Sequence, residues 1–344
     1  MKLSDFDFAL PEELIAQVPL PERDQSRLMV VDRSTGKISH DHFGSITDHL
    51  ACSSLVVLND TRVLPAKLFA FKKGASKPLE MLMVQEEVSG TWKVLLKGLG
   101  RLRPGQEFLL DDGRVTAVFL EQQEDIGIFR FSPAGVVPEL MEKLGKVPLP
   151  HYIRRNQEDE ELAKLDRMRY QTVFARHSGA IAAPTAGLHF TEDTIRRLQA
   201  KLAYLTLHVG PGTFQPIRAD NVVSHNMKSE SYSIPADTWN RVVRAKQKGA
   251  KIVAVGTTAT RVLETVDFDS AKTEDISGWT DRFIYPGQTF KNIDGLLTNF
   301  HLPKSTLYLL VCAFAGKTLM QEAYMKAVQE KYRFFSYGDA MLIL

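Results

Sequence analysis

Between Lys67 and Ser132 the chain is a series of short β-type runs: KLFAFKK, LEMLMVQEEV, TWKVLLKG, QEFLL, RVTAVFLE and IGIFRFS. Most are parted by turn pairs such as Lys73-Gly74, Ser89-Gly90, Pro104-Gly105 and Asp112-Gly113, and none has a helix-length pattern. Six short strands with tight turns predict a small antiparallel β-barrel. The flanks read differently. Leu55-Val56-Val57-Leu58 is a buried strand ahead of the barrel. After Pro148-Leu149-Pro150 come strands at 180–183, 204–209, 251–255, 281–285 and 341–344, interleaved with helices at 192–202, 237–248, 257–266, 307–315 and 319–332. That alternation predicts an α/β fold, a mixed, largely parallel sheet flanked by helices. Residues 1–62 and 150–344 are expected to form one discontinuous catalytic domain, with 63–149 as the inserted barrel. The acidic run from Glu158 to Glu161 reads as an exposed loop.

Each strand of the second part is followed by a loop of unusual content. One is Pro184-Thr185-Ala186-Gly187-Leu188-His189-Phe190; another is Gly210-Pro211-Gly212-Thr213-Phe214. Gly256-Thr257-Thr258-Ala259-Thr260-Arg261 and Pro286-Gly287 complete the set. Glycine lets a backbone approach a ligand and threonine supplies small donors and acceptors. Open α/β sheets bind ligands beyond the carboxyl ends of their strands, so these loops are expected to line a pocket. The expected contacts are Thr185, Gly187 and Phe190; Gly210, Gly212 and Thr213; Thr257, Thr258 and Arg261; and Tyr285.

The segment TNFHLPKST, Thr298 to Thr306, is the most polar loop joined directly to an apolar helix. Pro303 suits a first helical turn, and Lys304, Ser305 and Thr306 would surround the free N–H groups there, a seat for a carboxylate or phosphate. Simple N-capping by serine or threonine is the other reading. Asn299, Phe300, Lys304 and Ser305 join the candidate ligand contacts. His189, His208 and His301 all fall at strand ends, a pattern suited to proton transfer or ligand hydrogen bonding.

Composition narrows the chemistry. The 344 residues are 44% apolar and 24% charged, with a net charge of +2. No apolar stretch is long enough to cross a bilayer and the N-terminus lacks a signal layout, so a cytoplasmic protein without a membrane partner is expected. Cys52 and Cys312 offer neither CxxC spacing nor a disulfide framework, and no HxxxH occurs, so no metal is expected. GxGxxG and GxxxxGK[ST] are absent, against dinucleotide and P-loop chemistry. Basic pairs at Lys72-Lys73, Arg101 with Arg103, and Arg154-Arg155 suggest a polyanionic partner only weakly.

Together VLNDTRVLPAKL, YQTVFA, AAPTAGLHFT, LHVGPGTF, VGTTATRVLE, IYPG, TNFHLPKST and YRFFSYGDAMLI span the chain. In them the sequence resembles the S-adenosylmethionine:tRNA ribosyltransferase-isomerases of queuosine biosynthesis. It departs from that pattern at Pro211, Ala259 and Lys228, where leucine, serine and histidine are usual. The resemblance implies a barrel inserted into an α/β domain. It also implies transfer of the ribosyl moiety of S-adenosylmethionine, a substrate and not a cofactor, to 7-aminomethyl-7-deazaguanine at the wobble position of a tRNA. Epoxyqueuosine forms; adenine and methionine leave. His189, His208 and His301, with Glu230 and Asp281 as carboxylate partners, are then the candidate acids and bases. Phe190, Tyr285 and Phe300 are candidates to face the sulfonium. Arg261 and Lys304 are candidates for the methionine carboxylate or a phosphate. Lys72, Lys73, Arg101, Arg103, Arg154 and Arg155 are the expected RNA contacts, on a protein expected to act as a monomer. Without the resemblance, a sugar-phosphate or nucleotide transferase, a non-catalytic RNA-binding protein and a pyridoxal-phosphate use of Lys304 stay open.

Overall fold

Every residue of Leu55–Asn59 is buried, as a central strand covered on both faces requires. The computed structural model describes residues 1–75, 77–156, 159–210, 217, 221–267 and 271–344, with residue 200 described through its backbone alone. Its strands are β1 (Arg27–Val31), β2 (Ile38–His42), β3 (Leu55–Asn59), a short β4 (Thr61–Val63), and then β5 (Lys67–Lys72), β6 (Pro78–Val88), β7 (Thr91–Leu95), β8 (Glu107–Leu110), β9 (Val115–Gln123) and β10 (Ile126–Ser132). After these come β11 (His177–Ala180), β12 (Leu202–Leu207), β13 (Glu230–Ile234), β14 (Ile252–Val255), β15 (Ile276–Thr280), β16 (Gly295–Asn299) and β17 (Ala340–Ile343). The α-helices are α1 (Ile46–His49), α2 (Val137–Leu144), α3 (Glu160–Arg169), α4 (Glu192–Leu198), α5 (Ala236–Gln247), α6 (Gly256–Thr265), α7 (Thr306–Ala315) and α8 (Lys317–Gln329).

The chain divides into two compact units: Met1–Arg62, His151–Arg154 and Arg169–Leu344 in one, Val63–Pro150 and Arg155–Met168 in the other. In the second unit β5 to β10 close into a barrel in the order β10-β7-β6-β5-β8-β9, every pairing antiparallel. Residues 155–168 group with the barrel, whereas the division drawn on the sequence gave them to the α/β part. Glu160 and Glu161 open α3 and so are helical, not loop.

The first unit holds a nine-stranded sheet, ordered β15-β13-β12-β3-β14-β16-β17-β1-β2. Pairing is parallel from β12 through β3 and β14 to β16, and again between β17 and β1; the other neighbours are antiparallel. One face is buried under α5, α6, α7 and α8, in a core that includes Val57, Leu205, Trp239, Val262 and Leu310. The opposite face carries a second core built from Phe43, Ile46, Phe190 and Leu198 over Leu58, Val253 and Leu342. The expected α/β sheet with an antiparallel barrel is what the chain forms. Three local expectations differ. The strand placed at 281–285 lies at Ile276–Thr280, because Ile276 and Thr280 are the residues whose side chains can face the core there. The strand at 180–183 is instead His177–Ala180, paired with β4. β1, β2, β4, β13 and β16 had no expected counterpart.

Candidate functional site

One edge of the nine-stranded sheet collects the loops. The carboxyl ends of β12, β3, β14, β16 and β15 and the amino ends of β13, β17 and β1 all meet there. The registers fix this: Leu205 lies beside Asn59, Glu230 beside Thr280, and Asn299 and Leu28 each beside Ala340. A 3-10 turn, Thr185–His189, packs on β16 and α6 at this edge. The chain leaves β3 for β12 on one side and later enters β14 on the other, which makes the β3/β14 crevice the topological switch point where such sheets take ligands.

Residues 59–61, Asn-Asp-Thr, stand at that crevice, outside the loops expected to line it, although they follow a buried strand in the same way. The Asn59 amide donates to the Leu207 carbonyl (3.0 Å) and to Thr258 Oγ1 (3.2 Å), tying β3 to β12 and α6. Asp60 is buried; its Oδ1 accepts from Thr206 Oγ1 (2.7 Å) and its Oδ2 lies 3.7 Å from His177 Nε2. Thr61 Oγ1 is 2.8 Å from His208 Nδ1. The half-buried His208 ring lies so close over Gly179 that a Cβ there would sit 2.8 Å from it. Burial first, then the neighbouring His177, holds the His208 imidazole below the ordinary histidine range, and Asp60 opposes this.

His189 is buried and bonded at both nitrogens. Nε2 accepts from Asn299 Nδ2 (3.1 Å), so the proton is on Nδ1, which donates to Ser26 Oγ (2.8 Å); Ser26 passes its own proton to the Arg23 carbonyl (3.2 Å). Burial, with the Arg23 and Arg333 charges, pushes His189 down to about 3. His301 is also pushed down to about 3 by burial, with Nε2 2.7 Å from Thr298 Oγ1. Both rings are neutral. Asn299 also donates to the Phe335 carbonyl (3.1 Å), and its buried Oδ1 has no hydrogen-bond partner among the described residues. Beside His189 a small recess is lined by Arg23, Ser26, Arg169 and Tyr337. Arg23 donates to the Leu188 and Gln171 carbonyls (2.9 Å each).

Other candidates have structural work at or near this edge. Arg261 and Glu230 form a buried ion pair. Arg261 also donates to the carbonyls of Arg282 (2.9 Å) and Thr280 (3.3 Å), and Glu230 Oε1 accepts from the Gly210 N–H (2.8 Å). Every nitrogen of that guanidinium is therefore engaged within the protein. Ser305 caps α7, accepting from the Tyr308 N–H (3.1 Å). The helix begins at Thr306, so Pro303 lies outside its first turn, and Lys304, in a left-handed conformation (φ 56°), pairs with Asp7 (2.6 Å). The capping reading of TNFHLPKST holds, and the N–H groups expected to seat an anion are partly used by the cap. Phe190 and Phe300 point into the two cores, against Phe43 and Phe174, and Tyr324 and Phe334. Burial among those rings removes both from any sulfonium. Tyr285 is half-buried against Phe283 (5.2 Å). Thr257 is buried at the start of α6, Thr185 half-buried, and Gly187 packed where a Cβ would be 2.9 Å from Phe174 and Thr172. Asp281 is exposed just after β15. Gly212 and Thr213 lie outside the described residues.

In the barrel unit Lys72, Lys73, Arg101 and Arg103 are exposed. Arg155 is instead held by Asp166 (2.7 Å), a largely buried pair that withdraws it from a phosphate, and Arg154 pairs with Glu12 at the surface. Among the described residues no cluster of three His, Cys, Asp or Glu could hold a metal, and no helix is long and apolar enough to cross a membrane.

The family model described as "Queuosine biosynthesis protein" matches residues 3–343. The chain belongs to that family. Within the queuosine biosynthesis family it is similar along its full length to proteins named S-adenosylmethionine:tRNA ribosyltransferase-isomerase. It is 48% identical to that of Halothermothrix orenii and 47% identical to that of Staphylococcus epidermidis, with 100% of each chain covered in both cases. A crystal structure of S-adenosylmethionine tRNA ribosyltransferase from Thermotoga maritima aligns over 99% of this chain and 100% of its own, at 38% identity and a TM-score of 0.55. Ala259, which departs from the family pattern, is fully buried in the core at α6, where a hydroxyl would need a partner.

Proposed function

We propose that this chain transfers and isomerises the ribosyl moiety of S-adenosylmethionine onto 7-aminomethyl-7-deazaguanine at the wobble position of tRNA, giving epoxyqueuosine-tRNA and releasing adenine and methionine. Full-length relatives that carry the name of this activity support the reaction. The observation that carries its placement is His208, the half-buried histidine at the switch-point edge. The Thr61 hydroxyl has the His177 carbonyl as its other neighbour (3.5 Å), so it points its proton there and accepts from His208 Nδ1–H. Among the described residues Nε2 has no hydrogen-bond partner, so its lone pair is left to act as a base, on a ring kept neutral by its surroundings.

The sulfonium acidifies the adjacent 5′ carbon. His208 removes a proton there, the bond from the sugar to adenine breaks and adenine leaves with a proton, the neutral aminomethyl nitrogen attacks and gives up a proton, and epoxide closure expels methionine as the thioether. Asp60 stabilises the imidazolium formed in the first step, and His177, exposed beside it, gives the proton a route to solvent. Thr257, Thr258 and Asn299 stand along the same edge to hold the nucleoside, the unpaired Asn299 Oδ1 accepting from an N–H donor. Tyr285 remains the aromatic placed to meet the sulfonium. Arg261 and Glu230 act by holding Gly210. S-adenosylmethionine is consumed as a substrate, and the scheme calls on no further cofactor. The exposed cations of the barrel, Lys72, Lys73, Arg101 and Arg103, serve as phosphate contacts.

The deciding assay is incubation with S-adenosylmethionine and tRNA bearing the aminomethyl base. Adenine and methionine should appear one for one. Production of S-adenosylhomocysteine, or no adenine, would end this reading.

A further inference from the structure

Side chains alternate across a strand, so the faces of the outer strands can be assigned. Leu205, Leu207 and Ile234 belong to the core under α5 to α8, and Ile276 packs against it. Thr206, His208, Ser231, Ser233, Ser277 and Trp279 therefore share the opposite face. The second core covers that face over β3, β14, β17 and β1. At β13 and β15 it is open: Ser231 and Ser233 are half-buried, Ser277 is exposed and Trp279 is 64% exposed.

The surroundings are polar and cationic. Ser231 sits opposite Trp279, and Ser277 Oγ lies 3.3 Å from Ser233 Oγ. The Arg176 guanidinium is exposed and lies 4.8 Å above the Tyr204 ring. The exposed Arg62 donates to the neighbouring Ala175 carbonyl (2.7 Å). Asp60, on this side, is buried and held by Thr206, and Asp281 lies exposed just after β15. A lone indole among serine hydroxyls and arginines suits a nucleobase and phosphates better than an apolar protein surface. The face is also continuous with the candidate site: the His208 backbone N–H donates to the Ser231 carbonyl (3.1 Å). Two interstrand steps, roughly 10 Å, separate His208 from Trp279 along the sheet.

We propose that the open face of β13 and β15, alongside β12, seats the single-stranded RNA next to the reacting base, the Trp279 indole stacking on a nucleobase while Arg62 and Arg176 meet phosphates. The proposal rests on the tRNA reaction given above. Single-stranded RNA is read through bases stacked on aromatic side chains and a backbone held by cations.

Trp279→Ala and Arg176→Ala test it, each measured for affinity toward tRNA carrying the aminomethyl base and toward S-adenosylmethionine alone. Trp279 is exposed, so its truncation leaves the fold intact. Loss of one stacked base should weaken tRNA binding on the order of 10- to 100-fold and leave S-adenosylmethionine affinity unchanged. Arg176→Ala should lower the slope of log affinity against log salt by about one. Trp279→Ala binding tRNA within about twofold of the unaltered protein overturns the proposal, since a stacked base is worth more than that. So does a change of sedimenting mass with tRNA affinity retained, which would make the face a protein interface. Failure of the unaltered enzyme to release adenine condemns the reaction, whereas the binding comparison judges this face separately.

Discussion

Three histidines stand at or beside one sheet edge, and burial sorts them. His189 and His301 are buried and neutral, whereas His208 is half-buried. His208→Gln should lower kcat by about 10²- to 10⁴-fold with the fold intact, the usual size of general-base catalysis. Because its pKa lies below the ordinary value, the base stays neutral at pH 7, and kcat/KM should fall only on acidifying below the usual histidine range. Asp60 raises that pKa, so Asp60→Asn should move the acid limb further down; a limb that moves up contradicts the arrangement. The enclosed pair acts on stability instead. Each is held at about 3 in the folded chain against about 6.5 unfolded. The unfolded chain therefore binds more protons between these values, and stability falls as pH drops from about 6.5 toward 3. Each ring contributes up to roughly 1.4 kcal/mol per pH unit. His301→Gln should flatten the decline of the urea midpoint between about pH 6 and 4.

Among the elements, α6 and β13 depend on one buried pair. Arg261→Met leaves the Glu230 carboxylate without its partner in a site almost closed to water. Loss of about 3–5 kcal/mol is expected in urea unfolding, with activity falling as the Glu230 hold on Gly210 is lost. If Arg261 instead held substrate, the variant would keep its stability and lose only affinity for S-adenosylmethionine. The start of α7 is simpler: Ser305→Ala removes the cap on the Tyr308 N–H and should cost about 1 kcal/mol. TNFHLPKST shows how far a pattern reaches. Its polar residues mark a helix start, and the helix is there, but residue type alone does not separate a cap from an anion seat. The misplaced strand at 281–285 has a similar cause. DRFIY has the apolar content of a strand, yet ISGWT pairs with β13, because Ile276 meets Ile234 and the core beneath both.

Across the whole molecule, the cations expected to meet RNA differ in standing. Lys72, Lys73, Arg101 and Arg103 are exposed, whereas Arg155 is tied to Asp166. Changing those four to alanine should weaken tRNA binding and make it less sensitive to salt, without altering S-adenosylmethionine affinity. An RNA affinity equal to that of the unaltered protein would take the barrel out of the footprint. Read along the chain, turn pairs and apolar runs were enough for the barrel, most of the helices and the polar strand-end loops. They act between near neighbours, so their signal survives in one dimension. The motifs carried the family because eight of them span the chain. What came only with the packed chain was the order β12-β3-β14-β16, which makes the β3/β14 crevice the meeting point and brings 59–61 beside His208. Burial likewise sorted Phe190, Phe300, Arg261 and His189 from His208. Whether a ring or a charge faces a ligand depends on partners far away along the chain, as His189 and Asn299 show, and no local pattern encodes that distance.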